Sequence, residues 1–315
     1  KNLNATKIPK VFKQKLNIKK INKIYQKFER SINIHENFAV AVSGGPDSMA
    51  LAFLSKIYSN KKKLESKFFI IDHKLRPEST KEAKLVSKIL KKSTINAKIL
   101  TWTGKKPTKN IQSLARKKRF KLLFAECDKH KINNILLGHH QDDLLENFFL
   151  RLFRGSGLRG LTSLDKISKF ENKNLFRPLL DLKKDELIYV SNQVFNFYVV
   201  DPSNKNEKYQ RTRVRKLIDE MQKIGLEKKK FFKTIRNLKY VNNVVNFYVN
   251  ENLKKNSFLS TSKNRLILNN FFFKQPSEVI FRSFSNSIKL IGKKYYLPRG
   301  KKLDKIIDDI VNNCF

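Results

Sequence analysis

The stretch Ser43-Gly44-Gly45-Pro46-Asp47-Ser48 constrains this chain more than any other. An apolar run, Phe38 to Val42, reads as a short strand ending on two adjacent glycines. Met49, Ala50, Leu51, Phe53 and Leu54 follow at once in a helical pattern. Strand, glycine turn and helix N-terminus together predict an anion site. The glycines let backbone N–H groups converge without a Cβ in the way, and the first helical turn adds unpaired donors and a partial positive charge. Ser43 and Ser48 supply hydroxyl donors, and Asp47 stands where a carboxylate caps the helix or holds a cation. The lysine-containing phosphate loop, Gly-x-x-x-x-Gly-Lys-Ser/Thr, occurs nowhere in the sequence.

The alternation continues downstream. Further strands are predicted at 67–72, 97–103 and 134–138, and helices at 48–58, 79–91, 111–130 and 142–154. Continuous apolar strands between amphipathic helices predict an α/β fold, doubly wound about a mostly parallel sheet. Ligands then bind at the carboxyl ends of the strands. From about Asn206 long basic helices take over (209–224 and 227–254), with short strand-like runs at 257–260 and 265–269 and a final helical pair at 277–291 and 302–311. The organisation expected is a basic N-terminal extension over 1–35, an α/β nucleotide domain over 36–205, and a smaller, mainly helical C-terminal domain over 206–315.

The chain of 315 residues carries a net charge of +41, from 68 basic and 27 acidic residues. Such an excess repels itself unless a polyanion offsets it, and Lys and Arg replace the condensed counterions of nucleic acid. The abundance of Lys, Asn, Ile and Phe also marks a skewed composition that inflates Lys everywhere. No run of eighteen apolar residues is present, so no membrane partner or span is expected. The basic N-terminus has neither the apolar core of a secretory signal nor an initiator Met. Cys127 and Cys314 stand far apart and in no metal spacing, which fits a cytoplasmic protein without disulfides or structural zinc.

Three more blocks carry chemistry. Asp72 and His73 end the second strand; alone they read as a strand-end cap, and beside the glycine turn as a wall of the nucleotide site. On the long helix Gln112, Arg116 and Arg119 form a stripe whose cations suit phosphates, or simply face solvent. The run Gly138-His139-His140-Gln141-Asp142-Asp143-Leu144-Leu145-Glu146 follows the fourth strand and opens a helix. Asp142 and Glu146 are four apart, Asp143 and Glu146 three, so the carboxylates share one side of the first turn. Carboxylates beside a phosphate loop suit Mg²⁺, with Asp47 and Asp143 as the expected ligands, or act as a base on an amine. Helix capping explains Asp142 and Asp143 equally well. Arg151, Arg154 and Arg159 lie in or beside a glycine-rich loop after that helix, and Arg211, Arg213 and Arg215 form a second arginine cluster.

Ser-Gly-Gly-x-Asp-Ser resembles the PP-loop of the ATP pyrophosphatases. Taken in order, SGGPDS at 43–48, DHKLRPES at 72–79, NIQSLARKKRF at 110–120, the block at 138–161, RPLL at 177–180, DPSN at 201–204 and RTRVR at 211–215 resemble the tRNA(Ile)-lysidine synthases. The tail run YLPRGKK at 296–302 is similar to that family's C-terminal domain. Thr212 stands where the resemblance leads one to expect Asn. The resemblance implies a ligase of ATP and free L-lysine. ATP adenylates C2 of the first anticodon cytidine of a CAU-anticodon tRNA(Ile), and the lysine ε-amine then displaces AMP. It implies that Ser43, Gly44, Gly45, Pro46, Asp47, Ser48, Asp72, His73, Gly138 and His139 bind ATP, with Mg²⁺. Asp47, Arg116, Asp142, Asp143 and Glu146 would carry the chemistry, and Arg151, Arg154, Arg159, Arg211, Arg213 and Arg215 the tRNA contacts. The oligomeric state stays open, a homodimer included. A PP-loop tRNA thiolase is the nearest rival, but its relatives use paired or cluster-binding cysteines. A non-catalytic RNA-binding protein is the rival of another class.

Overall fold

In a computed structural model the chain is described over residues 9–104, 111–201, 206–260, 265–293 and 300–314. Asn110, Pro202–Asn204 and Tyr296–Arg299 of the motifs above lie outside those residues, as does the side chain of Gln112. In chain order the elements begin with α1 (Lys10–Leu16), α2 (Lys19–Arg30), β1 (Phe38–Val42), α3 (Pro46–Lys62), β2 (Ser66–Asp72), α4 (Ser79–Lys92) and β3 (Ala97–Thr101). Next come α5 (Ile111–Lys129), β4 (Asn134–Leu136), α6 (Gln141–Leu152), α7 (Leu158–Leu161), β5 (Ile167–Phe170), β6 (Lys173–Phe176) and α8 (Lys184–Phe195). The remainder are α9 (Gln210–Lys223), α10 (Lys228–Asn256), β7 (Ser257–Ser260), β8 (Arg265–Leu268), a 3-10 turn (Asn270–Phe273), α11 (Ser277–Ile291) and α12 (Gly300–Cys314). Among the described residues no helix is long and apolar enough to cross a membrane.

The chain divides into two compact units, one of residues 1–155 and 163–226, the other of 156–162 and 227–315. The sequence reading placed the division at 205/206; here α9 belongs to the first unit and α7 to the second.

The first unit is the expected α/β fold. Its sheet runs β3-β2-β1-β4-β6-β5, parallel except for the β5–β6 hairpin at one edge. Strand alternation sorts the core into two layers. Phe38, Val40 and Val42 of β1 and Phe68 and Ile70 of β2 point into one cluster, with α2, α3 and residues of α4 and α8. Ala39 and Phe69 point into the other, against Phe120, Leu123, Phe124 and Cys127 of α5. Each large side chain fully buried in this way contributes about 1.5–3 kcal/mol.

The described part of the N-terminal extension is not an appendage. Ile21, Ile24, Tyr25 and Phe28 of α2 form one apolar stripe in the main core, and Phe12 of α1 meets Phe53 edge to face at 4.9 Å. The basic residues of α1 and α2 occupy the outer faces.

The second unit is built on α10 and α11. Arg282 is buried and donates through Nε to Glu278 and through Nη1 to Asn242 (2.7 Å) and Asn246 (3.1 Å), while Asn252 donates to Ser283. A buried charge persists only when partnered in this way. The β7–β8 hairpin completes it.

Candidate active site

The glycine turn leaves β1 through Gly44, whose φ of +89° belongs to the left-handed region. A Cβ there would lie 2.7 Å from Val86 Cγ2 and 3.1 Å from Val199 Cγ2, so both backbone and packing select glycine. Pro46 stands at the first position of α3, where its missing N–H costs nothing. Ser48 ties the turn: its Oγ accepts from the amides of Ser43 and Gly44, each at 3.1 Å, lies 3.1 Å from Ser43 Oγ, and donates to Gly45 O. The amides of Ser43 and Gly44 and the Ser48 hydroxyl therefore serve the turn's own geometry. The amides of Asp47 and Ser48, in the first turn of α3, are the ones a helix leaves over for an anion.

Gly138 brings the second turn against the first. A Cβ on it would sit 3.4 Å from the Ser48 backbone. His140 then links the two carboxylates, Nε2 lying 3.7 Å from Asp47 Oδ2 and 3.7 Å from Asp143 Oδ2. Its Nδ1 accepts from the amide of Asp142 and its backbone N–H donates to Asp143 at 2.8 Å, a capping box. With Nδ1 accepting, a neutral ring carries its proton on Nε2, facing Asp47 and Asp143.

Burial raises the Asp47 carboxyl above its usual range, His140 and Lys184 offsetting this only in part, and its Oδ1 is buried without a hydrogen-bond partner among the described residues. Burial alone would also raise Asp143, but His140, His139 and the His140 backbone N–H outweigh it and hold this carboxyl low. His139 is pushed down to about 3, first by burial and then by Arg177, Arg116 and Arg211, and its Nδ1 also lacks a partner.

Two expected site residues are engaged by other side chains. Asp72 accepts from Ser79 Oγ (2.8 Å), Thr80 Oγ1 (2.6 Å) and the Lys74 amide (3.0 Å) and is almost wholly buried. It acts as a strand-end cap that ties the end of β2 to the Ser79 and Thr80 side chains at the start of α4. Arg215 reaches back from α9 to Glu146, Nε 2.5 Å from Oε1 and Nη2 3.3 Å from Oε2, and keeps a third of its side chain exposed. Glu146 is correspondingly buried and committed to that pair. His73 accepts from the Leu75 amide, and its pKa is lowered by burial and by Arg76.

Arg116 lies on the exposed face of α5 above the Phe120 ring, and its charge acts on His139 and Arg177. Asp142 is half-buried at the start of α6. Arg211 acts on Asp143 and His139 from α9, whereas Arg213 is exposed and Thr212 between them is buried. Arg151 is half-buried; Arg154, exposed, donates to Gln210 at 3.4 Å, and Arg159 is exposed in the second unit. The run Gly155-Ser156-Gly157-Leu158-Arg159-Gly160 has the glycine spacing of a dinucleotide turn, but it follows helix α6 instead of a strand.

Several contributors were not among the expected site residues, although Arg177 opens the RPLL block. Ser191 Oγ on α8 donates to Pro46 O at 2.6 Å, and the Val199 amide donates to Gly44 O, so the segment 191–199 braces the turn. Arg177, nearly buried, donates to Asp165 O and Ser168 Oγ, while its Nε is unpartnered. Only a long-range contact distinguishes such residues from any other serine or arginine.

As a whole the site sets two strand-to-helix turns face to face, with oxygen ligands, the adjacent histidines His139 and His140 and a rim of arginines. Among the described residues no group of three or more His, Cys, Asp or Glu could hold a metal alone. The unpartnered Asp47 Oδ1 and the Asp143 carboxylate fit a hard cation whose remaining ligands are phosphate oxygens.

Residues 14–221 match the family model of the PP-loop domain, an ATP-binding module. The tRNA(Ile)-lysidine synthase of Orientia tsutsugamushi (strain Boryong) is 45% identical over 183 residues, 58% of this chain and 41% of the relative. That of Wolbachia pipientis wMel is 33% identical over 299 residues, 91% of this chain and 68% of the relative. The chain thus spans less than half of the first relative and about two thirds of the second. Among solved structures, the U34-tRNA thiolase NcsA from Methanococcus maripaludis with its 4Fe-4S cluster superposes with a TM-score of 0.60 at 17% identity, over 70% of this chain and 78% of that one. That likeness concerns the fold. By the PP-loop match and by its identity to these relatives, the chain belongs to the tRNA(Ile)-lysidine synthase family of PP-loop proteins.

Proposed function

We propose that this chain ligates free L-lysine to C2 of the first anticodon cytidine of a CAU-anticodon tRNA(Ile), in the cytoplasm, at the expense of ATP. The observation that supports it most is the joining of Asp47 and Asp143 through His140, between two turns packed so closely that a Cβ on Gly138 would lie 3.4 Å from the Ser48 backbone.

In the first step the cytidine O2 attacks the α-phosphorus and pyrophosphate leaves. The amides at the start of α3 receive phosphate, and the arginine rim, Arg116 foremost, offsets the charge that develops at the base. Mg²⁺, held by Asp47 and Asp143, would neutralise the pyrophosphate when bound. In the second step the lysine amine attacks C2, the C2–O bond breaks and AMP departs. That amine must give up a proton. Asp143, whose carboxyl is held low against burial by His140, His139 and the His140 backbone N–H, would hold the ammonium and take the proton, with Asp142 beside it. Glu146 is held by Arg215 and acts through orientation.

Sulfur transfer is disfavoured by Cys127, whose buried thiol is pushed up to about 12, burial being the main cause. The test is an assay with purified protein, ATP, labelled lysine and tRNA. Lysine-dependent AMP release and label on the RNA support the proposal; AMP release without a lysine requirement, or only with a sulfur donor, rejects it.

A further inference from the structure

We infer that the outer face of α10 binds unpaired nucleotides by stacking, with Tyr240 and Phe247 as the platforms. The inference rests on the reading of RNA as substrate. Counted from Lys233, the residues Lys233, Arg236, Tyr240, Val244 and Phe247 follow at steps of three and four, so they form one stripe along the helix. It runs about 21 Å at the usual rise per residue. All five are exposed, Tyr240 at 60%, Val244 at 56% and Phe247 at 61%. The opposite face of α10 is the one that makes the core of the second unit, through Ile235, Val249 and Asn252. Phe247 is set edge to face against Tyr248, ring centroids 5.5 Å apart, which stiffens the platform.

Apolar exposure of this kind asks for an occupant, and the charge pattern identifies it. The helix carries seven lysines and one arginine against the single acid Glu251. A second copy of the chain would bring that excess against itself, so self-association through this face is opposed by charge. A fully paired duplex offers phosphates but no free base faces. An unpaired strand offers both, and aromatic platforms flanked by Lys and Arg are what such strands stack upon.

The experiment measures binding of full-length protein to a short labelled oligocytidylate and to an RNA duplex of equal length, at two salt concentrations. In Tyr240→Ala/Phe247→Ala the affinity for the single strand falls at least about fivefold, with the duplex little changed. The conservative pair Tyr240→Phe/Phe247→Tyr keeps the ring faces and keeps the affinity. Lys233→Ala/Arg236→Ala instead weakens both RNAs and lowers the salt dependence. An unchanged single-strand affinity in the double alanine variant, or an equal loss on duplex, overturns the inference. So does a wild-type dimer in sedimentation that the same variant dissolves, since a second copy would then be the occupant. Lysine-dependent AMP release, followed in parallel, reports on the catalytic proposal separately.

Discussion

The guanidinium of Arg215 lies on the carboxylate of Glu146 in a two-point contact, 2.5 Å at Nε and 3.3 Å at Nη2. Glu146 is almost fully buried, whereas a third of the Arg215 side chain meets solvent. Arg215→Ala therefore strands a negative charge and should destabilise the fold by about 3 kcal/mol. Arg215→Ala/Glu146→Gln should recover much of that loss. Denaturant unfolding of the two variants checks this; equal stabilities would show that the pair does not hold the charge.

Asp47 should be a residue whose neutralisation stabilises. Its folded pKa is raised by burial, so between the unfolded and folded values the native state binds the extra proton and stability falls as pH rises. Above the folded value the full penalty is present. Asp47→Asn should raise Tm, by about 2–4 °C for each kcal/mol relieved, and lose turnover by about a hundredfold or more. A scan of Tm with a parallel AMP-release assay separates the two effects.

Asp72 should behave oppositely. Burial would raise its carboxyl, but Thr80, Ser79 and the Lys74 amide outweigh it and hold the folded pKa low. A depressed acid contributes stability above its unfolded pKa and loses it as pH falls through the folded value. Asp72→Ala should unfold more easily, by about 1–3 kcal/mol at neutral pH, and its stability should vary less with pH at the acid end. Retained ATP affinity in the folded variant would confirm the capping role; selective loss of ATP affinity without loss of stability would contradict it.

Gly44→Ala should lose about 1–3 kcal/mol, since it meets both a positive φ and Val86 at 2.7 Å. Adding Val86→Ala should relieve the clash and leave the backbone strain. Melting temperatures and calorimetric ATP titration of the single and double variants distinguish these contributions.

The nucleotide loop was legible in the sequence because everything that defines it is local: strand, glycines, Pro46 and helix lie within one short window. Locality also left two readings at Asp72, strand-end cap and site wall; the hydrogen bonds from Ser79 and Thr80 that make it a cap appear only in the fold. Arg215 and Glu146 stand 69 residues apart, and no spacing rule joins them. The apolar stripe of α2 was hidden among lysines, since a helix buried on one face still needs a charged face outward. The hairpin β5–β6 and helix α8 fell in a stretch whose short, half-polar runs gave neither period clearly.

The brace on the phosphate turn also orders events on the ribosome. Ser191, which fastens Pro46, lies 145 residues downstream of it. A nascent chain therefore displays its glycine bend long before it can clamp it, and messages broken before that point yield polypeptides whose nucleotide grip was never locked. Translation itself imposes the delay: the bend is locked only after α8 has left the exit tunnel and folded back.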